Sequence, residues 1–202
     1  PGDAQAEARF KEIAEAYARC QSEARAAFGN HALYVARLIE RARHIEVQVI
    51  GDGSGRVSHL WERDCSLQRR NQKLLEIAPG PGLHPRLRGA IVAAAVRLAE
   101  VVHYRGLGTF EFLLDEDSGD FLFMEANPRL QVEHTVTEAV TGIDLVQAQL
   151  RIAGGASLAE LGLLQADIPA PKGFAIQLRI NLDTLTADGT PQPASGVLHS
   201  YQ

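Results

Sequence analysis

Glu111 and Glu125 lie in two alternating segments, Gly108-Thr109-Phe110-Glu111-Phe112-Leu113 and Phe121-Leu122-Phe123-Met124-Glu125-Ala126-Asn127, on either side of an acidic turn from Asp115 to Asp120. With the turn centred on Ser118, an antiparallel pairing sets the two glutamates opposite each other on one face, with Cβ atoms about 4.5–5.5 Å apart. Phe110, Phe112, Leu122 and Met124 then take the other face and pack on the core. Two carboxylates so close repel unless a cation, a proton or an arginine lies between them. With Asn127 beside them, their hard oxygens suit Mg²⁺ or Mn²⁺ completed by water and phosphate oxygens. Taken alone, the pair also reads as two solvated glutamates, the usual fate of charged side chains. The next residues shift that balance. Asn127-Pro128-Arg129-Leu130-Gln131-Val132-Glu133-His134 sets a cation, two amides and a third carboxylate directly after the metal ligands. Arg129 can hold a small planar anion in bidentate fashion, and Glu133 can act as a general base within hydrogen-bond reach of it. His134, at the foot of a following helix, reads as structural.

The elements that must position these residues follow from periodicity. Apolar residues from Phe10 to Phe28 recur at three- and four-residue steps, predicting a helix over 5–28 that Gly29 stops. His44 to Ile50 alternates as a half-buried strand, with Ile45, Val47 and Val49 on one face and His44, Glu46 and Gln48 on the other. The glycine-rich turn 51–55 leads back through a partner strand, Arg56 to Trp61, followed by a polar, basic stretch from Glu62 to Lys73. Pro85 opens a second helix running to about Tyr104, with Leu87, Ile91, Ala94, Leu98 and Val102 inward. A third helix covers 143–153, Ser157 to Glu160 forms a capping box before a short helix, and 174–181 is a last strand. Helices and hairpins without a strand-helix-strand rhythm predict an α+β class with a mainly antiparallel sheet.

Composition narrows the partners. In 202 residues, 46% hydrophobic and 22% charged content is that of a globular chain with a core. A net charge of −5 argues against general binding to nucleic acid or an anionic membrane surface. Cys20 and Cys65, without a CxxC pair, argue for a reducing compartment and against a disulfide framework or structural zinc site. No apolar run reaches membrane-spanning length, and the expectation is a cytoplasmic protein.

The runs Arg43 to Gln48 (RHIEVQ), Glu62 to Lys73 (ERDCSLQRRNQK), Gly108 to Phe112 (GTFEF) and Glu125 to Glu138 (EANPRLQVEHTVTE) resemble biotin carboxylase, an ATP-grasp component of acetyl-, propionyl- and pyruvate-type carboxylases. The resemblance runs from about Ala18 to Gln202, while Pro1 to about Ile13 fits it poorly. It implies the C-terminal half of an ATP-grasp fold, with residues 1–40 ending a lid subdomain and hinge and 41–202 forming part of the following subdomain. By this resemblance Glu111, Glu125 and Asn127 are metal ligands. Arg129, Gln131, Val132 and the base Glu133 bind bicarbonate, and Lys73 lies near bicarbonate and the γ-phosphate. His44 and Gln68 line the nucleotide site, Arg37 and Ile39 belong to the adenine hinge, and Arg179 stabilises the biotin enolate.

The resemblance implies that bicarbonate attacks the γ-phosphate of ATP and that the resulting carboxyphosphate releases CO₂ to biotin. The implied partners are a biotin carboxyl carrier domain and a carboxyltransferase, with a homo-oligomer possible. Between Arg63 and Lys73, four cations face one anion, Asp64. Beside a triphosphate, Lys73 and Gln68 read as functional, Arg69 and Arg70 as ion-paired, Cys65 as a small buried residue and Trp61 as core. Ala36 and Asn71 depart from the family's glutamate and histidine, and no glycine-rich phosphate loop precedes Phe28. The resemblance therefore implies a chain truncated at both ends that does not carboxylate biotin by itself. The competing readings are another ATP-grasp ligase, such as the carbamoyl-phosphate synthetase large subunit, and a degenerate nucleotide-binding or scaffold module.

Overall fold

Alternation builds the centre of the molecule. This computed structural model describes residues 2–69, 72–187, 191–197 and 200, in two compact units, Pro1–Leu38 and Ile39–Gln202. In the first unit, α1 (Gly2–Phe28) ends at Gly29, whose positive φ of 69° lets its N–H reach Arg25 O at 3.0 Å. Residues 30–39 have no regular structure.

The second unit holds β1 (Ala42–Asp52), β2 (Val57–Arg69), β3 (Gln72–Ala78), α2 (Pro85–Val101), β4 (Arg105–Asp115), β5 (Phe121–Asn127), α3 (His134–Thr141), α4 (Leu145–Ala153) and β6 (Ala175–Leu178). A small ribbon, β7 (Asp183–Leu185) and β8 (Pro191–Pro193), follows. The six-stranded sheet is antiparallel, in the order β5-β4-β1-β2-β3-β6. Helices flank it, as the α+β reading expects. No helix among the described residues is long and apolar enough to cross a membrane.

Central β1 is buried on both faces rather than half-buried. On one face Ile45, Val47 and Val49 pack with Phe110, Phe112 and Leu114 of β4 against α2. The α2 stripe is Ile91, Val92, Ala95 and Ala99, while Leu98 and Val102 are exposed. The helix is thus turned by about one residue from the expected stripe, so that small alanines face the sheet and let it approach. On the other face Ile50, Leu60 and Leu107 pack under α4 and Leu158.

Three further expectations change. The basic stretch 62–73 is mostly strand, because its charges find partners within the sheet. Arg63, the largest, is fully buried. In the β4–β5 hairpin Glu111 does oppose Glu125, but Phe112 opposes Phe123, so a bulge at Met124 interrupts the uniform register. Phe121 and Phe123, rather than Leu122 and Met124, therefore meet the core, with ring centroids 5.8 Å from Phe112 in both cases. Lastly, Ser157 and Glu160 do form a reciprocal box, Ser157 N–H to Glu160 Oε2 at 2.8 Å and Glu160 N–H to Ser157 Oγ at 3.3 Å, but it closes a turn and not a helix.

Gly108 is required by a neighbour. A Cβ there would lie 2.1 Å from the Tyr104 hydroxyl, which donates to Leu107 O at 2.9 Å. Gly108→Val is expected to cost about 1–3 kcal/mol, measurable as a lower urea midpoint at unchanged m-value.

Candidate active site

The sheet face opposite α2 carries the chemistry. Along β1 its residues run from Ile50, under α4, through Gln48 and Glu46 to His44. Register lines four charges across adjacent strands: Arg63 faces Glu46, Glu46 faces Glu111, and Glu111 faces Glu125. Asn127 donates to both outer carboxylates, to Glu111 Oε1 at 2.8 Å and Glu125 Oε1 at 3.2 Å, so the two side chains share a face.

A bulge in β3 adds the next charges. Leu67 pairs with Leu75 but Gln68 pairs with Lys73, leaving Leu74 as the extra residue. Lys73 and Glu76, three apart, therefore reach the same face. Lys73 donates to Glu46 Oε2 at 2.5 Å, Glu133 Oε1 at 2.8 Å and Glu111 Oε1 at 3.2 Å. Burial alone favours the neutral amine, but the charge of Glu46 and hydrogen bonds to Glu133 and Glu46 prevail and raise its pKa. Glu133 precedes α3 at the N-cap position without a side-chain capping bond and is buried, with Oε2 accepting from Arg179 Nη2 at 2.8 Å. Arg179 Nε donates to Glu76 Oε1 at 2.7 Å.

Behind this row, fully buried Arg63 donates to Glu46 Oε1 at 2.5 Å and to Gln48 Oε1 and Thr137 Oγ1 at 2.8 Å, tying α3 to the sheet. Burial pushes the Glu46 carboxyl up, yet Arg63 and Lys73 together hold it below its ordinary value. Gln68 lies 2.7 Å from His44 Nδ1 as the amide donor, which leaves Nε2–H to donate to Glu111 Oε2 at 2.5 Å. Burial also opposes ionisation of Glu111, but the His44 hydrogen bond, then Lys73 and Gln131, bring its carboxyl down to about 2.

That depression sets an acid limit on stability. Ionised Glu111 supports the fold fully above its ordinary value of 4.5, and the support is lost as pH falls through about 2. The contribution is on the order of 3 kcal/mol. Glu76, whose carboxyl burial pushes up, acts in the opposite sense, favouring the fold at low pH and losing that contribution as pH rises. The larger Glu111 effect is expected to dominate. Urea midpoints followed by Trp61 fluorescence should fall across this window, and Glu111→Gln should flatten the decline.

A cleft of about 440 Å³ gathers Lys73, Glu111, Glu125, Asn127, Arg129, Gln131, Val132, Glu133 and Arg179, with Gln72 and Asn181. Arg129 is exposed there, its backbone N–H donating to Asn127 O at 2.8 Å and its guanidinium making a long hydrogen bond to Leu130 O at 3.4 Å. Gln131 donates to Glu111 Oε1 at 3.0 Å, and exposed Val132 forms part of the wall. His44 and Gln68 stand behind Glu111. Arg37 and Ile39 lie in the irregular segment 30–39, as does Ala36. His134 Nδ1 turns to Glu138 Oε2 at 3.1 Å, one helical turn on. Arg69 pairs with Asp183 at 2.6 Å, while Arg70 and Asn71 lie outside the described residues. Trp61 is part-buried, its indole donating to Pro169 O at 2.8 Å. Cys65 is buried, and burial with Glu46 pushes its thiol well up, away from nucleophilic chemistry.

Glu111 and Glu125 offer the all-oxygen set that a hard divalent ion takes, provided Asn127 turns its amide to present Oδ1. His44, Glu46 and Glu111 also bring ligand atoms within 4.8 Å of one another. There, however, the Lys73 ammonium already bonds both carboxylates. Residue types alone did not single out Glu46, Glu76 or Arg63. Alternation had placed Glu46 on the His44 face, the one signal available.

Residues 4–161 match the family described as the carbamoyl-phosphate synthase L chain, ATP binding domain. Pyruvate carboxylase 1 of Caenorhabditis elegans is 52% identical over 194 residues, 96% of this chain and 16% of that protein. Human mitochondrial pyruvate carboxylase is 52% identical over 174 residues, 86% of this chain and 15% of that protein. The chain thus spans about one sixth of the length of these relatives. Among solved structures, the biotin carboxylase domain dimer of Hydrogenobacter thermophilus 2-oxoglutarate carboxylase, in complex with MgADP, ADP and bicarbonate, is 46% identical with a TM-score of 0.78, covering 85% of this chain and 37% of that one.

Proposed function

The chain belongs to the family of ATP-binding domains described for the carbamoyl-phosphate synthase L chain and is homologous to biotin carboxylase domains, and we propose that it serves ATP- and bicarbonate-dependent carboxylation of biotin. One observation carries the reading: Lys73, Arg129, Glu133 and Arg179 converge on the cleft beside the opposed pair Glu111 and Glu125.

Arg129, with Gln131 and Val132, holds bicarbonate, and Glu133 takes its proton. A bicarbonate oxygen attacks the γ-phosphorus as the bond to ADP breaks, giving carboxyphosphate. Lys73 offsets charge on the transferring group. Carboxyphosphate divides into CO₂ and phosphate, the phosphate takes the ureido N–H proton of biotin, and the resulting enolate, held beside Arg179, takes CO₂ at its ureido nitrogen. Glu111, Glu125 and a turned Asn127 would hold Mg²⁺ or Mn²⁺, which when bound neutralises phosphate charge. His44 and Gln68 set Glu111, and Arg37 and Ile39 belong to the adenine hinge.

Residues 1–40 are the end of the lid with its hinge, and 41–202 part of the ATP-grasp subdomain after it. The partners are a biotin carboxyl carrier domain and a carboxyltransferase, in a homo-oligomer. The compartment is a reducing one, the cytoplasm or, as in the name of the human relative, the mitochondrion.

The test is ADP release by the native polypeptide that contains these residues. Release is expected to need bicarbonate and to rise with free biotin. Stimulation by ammonia without a biotin effect would instead assign carbamoyl-phosphate chemistry. Undetectable MgADP binding at millimolar ligand would favour a scaffold.

A further inference from the structure

Glu76 is not among the residues lining the cleft, yet it holds one of the cations that are. It lies on β3 opposite Gln177 of β6 and is fully buried. Its Oε1 accepts from Arg179 Nε at 2.7 Å, while its Oε2, also buried, has no hydrogen-bond partner among the described residues. A buried carboxylate oxygen without a donor is destabilising, and a buried ion pair is weak support for a fold. The arrangement therefore calls for another reason.

Arg179 supplies it. Its backbone N–H donates to Leu74 O at 2.9 Å, which fixes the start of the side chain beside β3. Its guanidinium then spans two carboxylates, Nε to Glu76 and Nη2 to Glu133 at 2.8 Å. We infer that Glu76 is a positioning residue, which engages the Nε edge of Arg179 so that only one prong of the fork reaches Glu133. Without Glu76 the planar fork is free to close on Glu133 with two parallel hydrogen bonds. That pairing masks the base and withdraws the cation from a substrate in the cleft. The inference rests on the proposed carboxylation of biotin.

The experiment compares Glu76→Gln, Arg179→Lys and the double variant in the native polypeptide. It measures biotin carboxylation and ADP released per biotin carboxylated, with thermal melts to establish folding. Glutamine keeps an acceptor for Nε but loses the charge. Glu76→Gln is expected to lower kcat for biotin about ten-fold with KM for ATP little changed, and to raise ADP release per carboxylation. Because Glu76 acts through Arg179, it should add nothing further in the Arg179→Lys background. Wild-type kcat and coupling in Glu76→Gln, additive losses in the double variant, or a Glu76→Gln chain that does not fold would each overturn the inference. A wild-type protein whose ADP release ignores biotin would sink the functional reading instead.

Discussion

Glu133→Gln is expected to lower kcat for bicarbonate-dependent ADP release by about 10²–10⁴-fold while the protein stays folded. The amide is nearly the same size and accepts one hydrogen bond, but it takes no proton near neutral pH. Glu133 is 2% exposed and sits between two cations, Lys73 at 2.8 Å and Arg179 at 2.8 Å. Both cations keep another carboxylate in the variant, Lys73 through Glu46 and Arg179 through Glu76. The loss should therefore fall mainly on chemistry and less on stability. Single-turnover ADP formation, checked beside a thermal melt, separates the two. A folded variant within a few-fold of wild-type kcat would remove Glu133 as the base.

Glu111→Ala and Glu125→Ala are expected to divide metal binding from folding. Glu111 is 3% exposed and accepts from His44, Lys73, Asn127 and Gln131. Truncating it strands buried donors and removes a charge partner, at about 3–5 kcal/mol. Glu125 is exposed and accepts from Asn127 alone among the described residues. Its truncation should change stability by no more than about 0.5 kcal/mol. Both variants should bind Mn²⁺ with ADP about 100-fold more weakly, since each removes one of two carboxylates from a hard-ion site. Urea denaturation and Mn²⁺ electron paramagnetic resonance titration measure the two quantities on the same samples. Unchanged Mn²⁺ affinity in folded Glu125→Ala would place the ion elsewhere.

Much of this site is readable in the sequence, and most of what is not depends on how the strands pair. The opposition of Glu111 and Glu125 follows from period-two alternation around a short turn, because a register error of one residue would bury one of the glutamates in the core. The bulge at Met124, one residue from that pair, leaves no trace in composition. Plain alternation therefore puts Leu122 and Met124 on the face that Phe121 and Phe123 occupy. The bulge at Leu74 hides Glu76 in the same way, since residues three apart in a regular strand point to opposite faces. Glu46 sat on the correct face but gained meaning only from the β1–β4 register, which sets it beside Glu111. Arg63 is only one cation of a basic stretch in the sequence, because charge density says nothing about which acceptors a fold will supply. It has four acceptors from two strands and a helix. The α2 stripe was displaced for a different reason: bulky Leu98 outranks Ala95 and Ala99 in an apolar pattern, whereas close packing on a sheet favours the smaller side chains.

The most direct measurement follows the oxygen that forms the new bond to phosphorus. With bicarbonate labelled with ¹⁸O, ATP and free biotin, the native polypeptide is expected to release inorganic phosphate carrying one labelled oxygen per turnover, because the attacking bicarbonate oxygen stays on phosphorus when carboxyphosphate divides. Phosphate labelled only from solvent water would contradict this, and would mean that the cleft beside Glu111, Glu125 and Glu133 splits ATP without bicarbonate as the nucleophile.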